Sequence, residues 1–392
     1  MMFGETISLE DLERDPHPIY ARLRDEEPVS WVPAVQLWLV TRWDDVRFVD
    51  LRPEIFTAET DPSTLNRTMG KNMLGSEGPH QQWIRAVCEP PFRPREVEER
   101  THGMIPKLAH ELIDEFAARG EADLFTEFAD PMSVRSLQYM LGLGEVPWED
   151  LLRWNQGMMV GLANFEGDPS KQRVADDASA QLGADIDDVL ERLERSPDGS
   201  ALSWMLHHDQ NGNSMSREEI AANAKLMLSG GLQEPRDLIA LVVWALGSHP
   251  EQLEEVRGDR SLVKAAVEET LRWAGPVGTS TRQTTSTTEL AGIELPERTL
   301  VGAVLSSANR DPLRWSDPDR FDIHRREGAH MAFAIGTHFC LGAWFGRHLA
   351  RMSTDILLDR LPHLRLDPNR PVELRGWEFR APSSTWVRWD PP

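Results

Sequence analysis

The chain has 392 residues, 42 of them basic and 64 acidic, and a formal net charge of −22 that repels nucleic-acid phosphates and anionic membranes. Forty per cent of the residues are hydrophobic, enough to bury a large core and to exclude a disordered acidic tail. Two cysteines, Cys88 and Cys340, exclude a disulfide framework, and with no apolar leader or long apolar run the expectation is a cytoplasmic globular protein.

In chain order, Leu37–Thr41 predicts a short strand. Ile105, Leu108, Leu112, Ile113 and Phe116 recur at helical spacing and predict one long helix over Glu96–Arg119, stopped by Gly120. Met132–Leu143 and Ala175–Leu193 read as further helices. Turn residues gather at Asp168-Pro169-Ser170, Ser196–Ser200 and Asp209–Asn213. Ser216-x-x-Glu219 is a capping box that opens an apolar run to Leu246, closed by Gly247. Such a helix spans roughly 45 Å and crosses the molecule. Leu290–Ile293, Leu300–Leu305 and Thr385–Trp389 predict strands. No repeat or low-complexity linker divides the chain. The expected fold class is mainly α with small β-sheets, residues 1–392 forming one domain.

Two stretches carry chemistry. Within the long helix, Ser229-Gly230-Gly231-Leu232-Gln233-Glu234-Pro235 places a proline four residues after Gly231, so one backbone hydrogen bond is lost. This predicts a bulge or kink at which the glycines admit a ligand to the backbone, or a simple packing kink. The second stretch, Phe333-Ala334-Ile335-Gly336-Thr337-His338-Phe339-Cys340-Leu341-Gly342, precedes a helical run from Ala343 to Leu358. A lone cysteine is usually an inert small hydrophobe. At a helix N-terminus, however, unpaired N–H groups and the dipole favour thiolate. Gly336 and Gly342 let the backbone approach a flat group, and Phe333 can lie against the sulfur. One thiolate suits haem iron, whereas zinc needs further ligands that His338 alone does not supply.

This second stretch resembles the cysteine-ligand loop of the cytochrome P450 family, Phe-Gly-x-Gly-x-His-x-Cys-x-Gly, with Ala334 at the first glycine. Glu269-Thr270-Leu271-Arg272 and the run from Asn309 to Asp322 resemble two further motifs of that family. The resemblance implies a two-lobed fold around a buried haem b, with Cys340 as the axial ligand of the iron. It implies that Arg85, Arg282, His338 and His80 meet the haem carboxylates; His80 lies one residue further upstream than the family spacing. Glu269 and Arg272 would form a structural network completed by Arg325 or Arg320, the former favoured. Where relatives carry an acid followed by threonine, this chain has Gln233 and Glu234, and the Glu234 carboxyl would either donate a proton or accept one from peroxide.

Gly230–Pro235, Pro131–Leu137 and Gly376–Ser383 are similar to the bacterial guaiacol-type aromatic O-demethylases. That likeness implies a substrate pocket with Phe379 packed on the ring and Met69 and Leu162 where two other aromatic residues stand. Gly230, Gly231, Ser280 and Thr281 complete it. The implied reaction is O-demethylation of a guaiacol-like methoxyphenol, with room for a bulkier ring substituent, giving a catechol and formaldehyde. No flavin or iron–sulfur motif is present, so electrons come from a separate reductase or ferredoxin, docking near Cys340 where Arg347, His348 and Arg351 form a basic patch. The alternatives are a peroxide-driven oxygenase using Glu234, a monooxygenase of another apolar substrate such as a terpene, fatty acid or macrolide, and a non-catalytic haem sensor.

Overall fold

Ser216 starts the helix on which the fold is organised, Arg217–Gly247, in a computed structural model that describes residues 2–164, 167–210 and 212–390. The Ser216 hydroxyl accepts from the Glu219 amide, and the Glu219 carboxylate accepts from the Ser216 amide, so two end donors are satisfied reciprocally. From Leu238 to Leu246 the helix is buried nearly all round. It packs against the helices Asp130–Leu141, Trp148–Leu162, Pro169–Arg195, Val263–Ala274 and Ala343–Arg360. Pro235 lies inside it, yet the helix is continuous and carries no bulge. The Ser133 hydroxyl, on the neighbouring helix, donates to the Leu232 carbonyl at 2.6 Å and lies 3.4 Å from that of Gly231. The Gly231 carbonyl, which proline leaves without its amide donor, thus receives a long contact from a side-chain hydroxyl, and the helix stays continuous.

The largest sheet has five short strands in the order Val29–Val32, Leu37–Val40, Leu300–Ala303, Ser280–Thr284 and Phe56–Thr57. Leu300–Ala303 runs parallel to Leu37–Val40 and antiparallel to Ser280–Thr284, with Val301 opposite Arg282. A three-stranded sheet joins Glu121–Asp123, Trp386–Arg388 and Arg365–Leu366. One large apolar core fills the helical part, and two smaller ones lie against the five-stranded sheet. The architecture is mainly helical with small sheets.

Several element boundaries differ from the sequence reading. The expected helix over 96–119 is two helices, Pro94–Thr101 and Met104–Phe116, separated at His102–Gly103 and followed by a tight turn that ends on Gly120 at φ +75°. Asp168-Pro169 is a helix start: the Asp168 carboxylate accepts from the Ser170 amide, and proline at the first position needs no donor. Residues 290–293 hold a turn, since Ala291 (φ +49°) and Gly292 (φ +80°) join the strands Thr288–Leu290 and Ile293–Leu295. Of the turn expected at Asp209–Asn213, residue 211 lies outside the described residues. Among those described, no helix is long and apolar enough to cross a membrane.

Candidate haem–thiolate site

The loop before Ala343–Arg360 is shaped by its own backbone. The Cys340 amide donates to the Phe333 carbonyl at 3.0 Å and the Phe339 amide to that of Gly336 at 3.1 Å. Gly336 has φ +74°, and a Cβ there would sit 2.9 Å from the Asp50 carbonyl oxygen, so only glycine fits. Ala334, at φ +54°, adopts the same left-handed conformation with a side chain present. The loop delivers Cys340 to the N-terminal end of the helix. Burial pushes its thiol up to about 11, while the Gly342 amide, Arg85 and Arg347 pull the other way. Cys340 nonetheless carries accessible surface. A thiol that is both enclosed and accessible faces an internal void.

Glu234 shows the same combination. It keeps some accessible surface, yet burial pushes its carboxyl up to about 8, with the Asp237 charge adding to the rise. Its Oε2 atom has no hydrogen-bond partner. Glu234 also raises the Cys340 thiol electrostatically, so it lies within electrostatic reach of the void at Cys340. Glycines line it. Gly230 is exposed in mid-helix, and a Cβ there would find nothing nearer than Glu234 Oε2 at 4.0 Å. A Cβ on Gly342 would meet only Cys340 Sγ at 4.0 Å, and one on the buried Gly346 would meet nothing within 4 Å. Gly231 belongs elsewhere: its Cβ would lie 2.8 Å from Leu137 Cδ2, so it serves the packing of two helices and does not line the void.

Two arginines and a histidine surround the loop, each paired with an acid. Arg282 Nη2 lies 3.2 Å from Asp50 Oδ1, and His338 Nε2 lies 3.0 Å from Glu77 Oε1. Burial acts to raise the Glu77 carboxyl, but hydrogen bonds from His338 and the Ala58 amide outweigh it and hold it below the usual range. Arg85 donates to Glu89 and to the Phe339 carbonyl. His80 is not among them. It is 46 % exposed, stacks on Trp83 and lies 3.9 Å from Glu219. The next residue, Gln81, is buried and donates to the Thr337 carbonyl at 3.4 Å, so the one-residue shift in spacing turns the histidine outward. Ser280 Oγ donates to Asp50 Oδ1, which places Ser280 on the face of its strand that carries Arg282. Strand alternation turns Thr281 to the opposite face, so Ser280 and Thr281 do not line one pocket.

Phe379 is half-buried and its backbone bridges to Val277, beside the Ser280 strand. Met69 and Leu162 pack into the main helical core, and nothing sets them apart from ordinary core residues. Glu269 takes two hydrogen bonds from Arg272, at 2.7 and 2.8 Å, and one from Arg325 Nε at 3.2 Å. Arg320 contributes only its carbonyl to both arginines. The expected basic patch is largely neutralised. Arg347 is paired through two nitrogens with Glu268, whose carboxyl burial would raise but which His330 and Arg347 hold down at about 2. Burial, then Arg351, lowers the His348 imidazolium, leaving it neutral at pH 7, and Arg351 lies 3.9 Å from Glu98.

Asp50, Glu77, Gln81 and Asp237 escaped the sequence reading, because each gains its role only from a partner distant in the chain or from burial. Among the described residues no group of three or more His, Cys, Asp or Glu could hold a metal ion. A metal at Cys340 therefore takes one protein ligand, its others coming from a prosthetic group. A glycine-lined void, one thiol, two arginines and a histidine fit haem and its two carboxylates.

A family model described as Cytochrome P450 matches residues 190–368. Cytochrome P450 107B1 of Saccharopolyspora erythraea is 32% identical over 385 residues, covering 93% of this chain and 92% of that protein. Cytochrome P450 monooxygenase PikC of Streptomyces venezuelae is 33% identical over 394 residues, with 97% and 92% covered. Among solved structures, that of CalO2 superposes with a TM-score of 0.87 at 29% identity, covering 98% of each chain.

Proposed function

The chain belongs to the cytochrome P450 family of haem b monooxygenases, and we propose that it O-demethylates a small, guaiacol-like methoxyphenol, with Cys340 as the axial thiolate. Haem b, when bound, supplies insertion of one oxygen atom into a C–H bond while the other leaves as water. The chain's own residues bind, orient and supply protons. Arg85, Arg282 and His338 would take the haem carboxylates, in exchange for acids such as Asp50 and Glu77. The observation that supports the reading is that Glu234, a carboxyl raised toward neutrality, lies within electrostatic reach of Cys340. A carboxyl raised to about 8 is protonated at neutral pH, so Glu234 is an acid whose buried Oε2 has no hydrogen-bond partner. Hydroxylation of a methoxy carbon gives a hemiacetal, which collapses to a catechol and formaldehyde.

The choice of methoxyphenol rests on the likeness of Gly230–Pro235, Pro131–Leu137 and Gly376–Ser383 to the guaiacol-type demethylases, and on the position of Phe379 beside the Ser280 strand. Two electrons would come from a separate reductase or ferredoxin. A second reading, oxygenation driven by peroxide, is favoured by Glu234: once ionised, a carboxyl with a near-neutral pKa accepts a proton from peroxide. The test is a binding screen followed by haem absorbance. The expected result is a spectral shift with 2-methoxyphenol and its para-alkylated analogues. A shift with macrolides or steroids and none with methoxyphenols would overturn the reading. Turnover with peroxide but none with ferredoxin-type reductases would select the second.

A further inference from the structure

Oxygen insertion consumes protons as well as electrons: RH + O2 + 2e− + 2H+ gives ROH + H2O, the electrons coming from the reductase. Gln233 can neither hold nor release a proton at neutral pH. Glu234 is enclosed, so each proton it delivers must be replaced from elsewhere. The nearest further carboxyl on the same helix is Asp237, three residues on and therefore on a neighbouring face. Asp237 is 1 % exposed. Its Oδ1 accepts from Arg236 Nε at 2.8 Å, while its Oδ2 makes no full hydrogen bond and the Gln233 amide lies close enough to act on the carboxylate. Arg236 Nη1 reaches Asp130 Oδ1, at 3.2 Å, on the adjoining helix.

On the outer side of this stretch lies a cavity of about 240 Å³, open on one side, between the helices Trp148–Leu162 and Arg217–Gly247. Its walls include Asn155, Gln156, Met159, Gln233 and Arg236. Asn155 lines this cavity, is 4 % exposed, and carries a buried Oδ1 with no protein partner. Two enclosed carboxyls, each with an unpartnered oxygen, therefore stand about one helical turn apart, next in sequence to Gln233 and Arg236, which line a cavity open to solvent.

We propose that Asp237 is a proton-relay residue that recharges Glu234 with protons drawn from water in the cavity between the helices Trp148–Leu162 and Arg217–Gly247. Asp237 acts through Glu234. Arg236, fixed by Asp130, orients it. The proposal rests on the monooxygenase reaction and on the placement of Glu234, and is independent of which compound is oxidised. The charges acting on Asp237 are Arg236 and Glu234 on its own helix and Asp130 from the neighbouring one, while helix Trp148–Leu162 offers it the neutral Asn155 and Gln156. Burial pushes Asp237 up to about 6 against the pull of Arg236, and Glu234 is raised further by the Asp237 charge, so proton exchange between them near neutral pH needs little driving force.

The ferric holoenzyme is titrated in the infrared, with the Glu234 carbonyl stretch identified by its loss in Glu234→Gln. In Asp237→Asn the Glu234 midpoint should fall by about one pH unit or more, whereas Asp237→Glu should leave it in place. In turnover with any compound that shifts the haem spectrum, Asp237→Asn should divert at least about fivefold more of the consumed oxygen to peroxide, and Asp237→Glu should restore the partition. Asp237→Ser carries the same expectation if the asparagine variant does not fold. An unmoved infrared midpoint, a partition equal to that of the unaltered protein, or failure of Asp237→Glu to restore it would each overturn the relay. If no methoxyphenol is oxidised, the substrate reading has failed and the infrared result still decides this one.

Discussion

Ala334 is a single residue at which the ligand loop departs from its family pattern and is strained for it. It holds φ +54° where relatives have glycine, a conformation that costs an L-residue about 1–2 kcal/mol. Glycine would recover that cost but would lose about 0.4–1 kcal/mol through the greater freedom of its unfolded chain. Ala334→Gly should therefore stabilise the protein by roughly 0.5–1 kcal/mol, seen as a raised urea midpoint at constant slope. An unchanged or lowered midpoint would show that the loop gains nothing from relief at this position. The left-handed backbone was legible in the sequence only through the family pattern, because alanine itself gives no turn signal. The outward turn of His80 was foreshadowed by its spacing, whereas Gln81 gave none, since a glutamine in a helix is unremarkable until the loop at Thr337 lies against it.

At the scale of elements, the central helix was the most legible part of the chain. Its capping box, its length and its C-terminal glycine are local features, and the structure starts it at Arg217 and ends it at Gly247. What the local pattern misses is which way each residue faces. Gly230 and Gly231 are adjacent and chemically identical, yet one opens on a void and the other is pressed against Leu137. Alanine separates them. Gly231→Ala adds a methyl group where packing is already tight, and should destabilise by about 1–3 kcal/mol, less a helix-propensity gain of up to about 1 kcal/mol. Gly230→Ala meets no such clash and should keep that gain, while altering the haem spectrum and the ligands that shift it. Equal destabilisation by the two would contradict the assignment of the faces. Long helices expected from periodicity fared less well where a glycine intervened: Gly103 marks the gap between Pro94–Thr101 and Met104–Phe116.

At the scale of the whole molecule, the charge of −22 says little about any one face. Arg347 and Arg351, expected to attract a reductase near Cys340, pair with Glu268 and Glu98 from elements remote in sequence, and burial lowers the pKa of His348. The same holds for Asp50 and Glu77, which close on Arg282 and His338 only in the folded chain. The proposed iron ligand could be picked out because its loop is continuous, whereas the acids paired with Arg282 and His338 could not, because they come from separate parts of the chain. Fold class and cofactor thus follow from contiguous motifs, and the electrostatics of the site follow from packing. The most direct test of the account is the stoichiometry of formaldehyde and catechol released from 2-methoxyphenol by the haem-loaded protein supplied with a ferredoxin-type reductase. The account predicts one formaldehyde for each catechol, with both products lost in Cys340→Ser. Release of neither by the unaltered protein, or full release by Cys340→Ser, would contradict it.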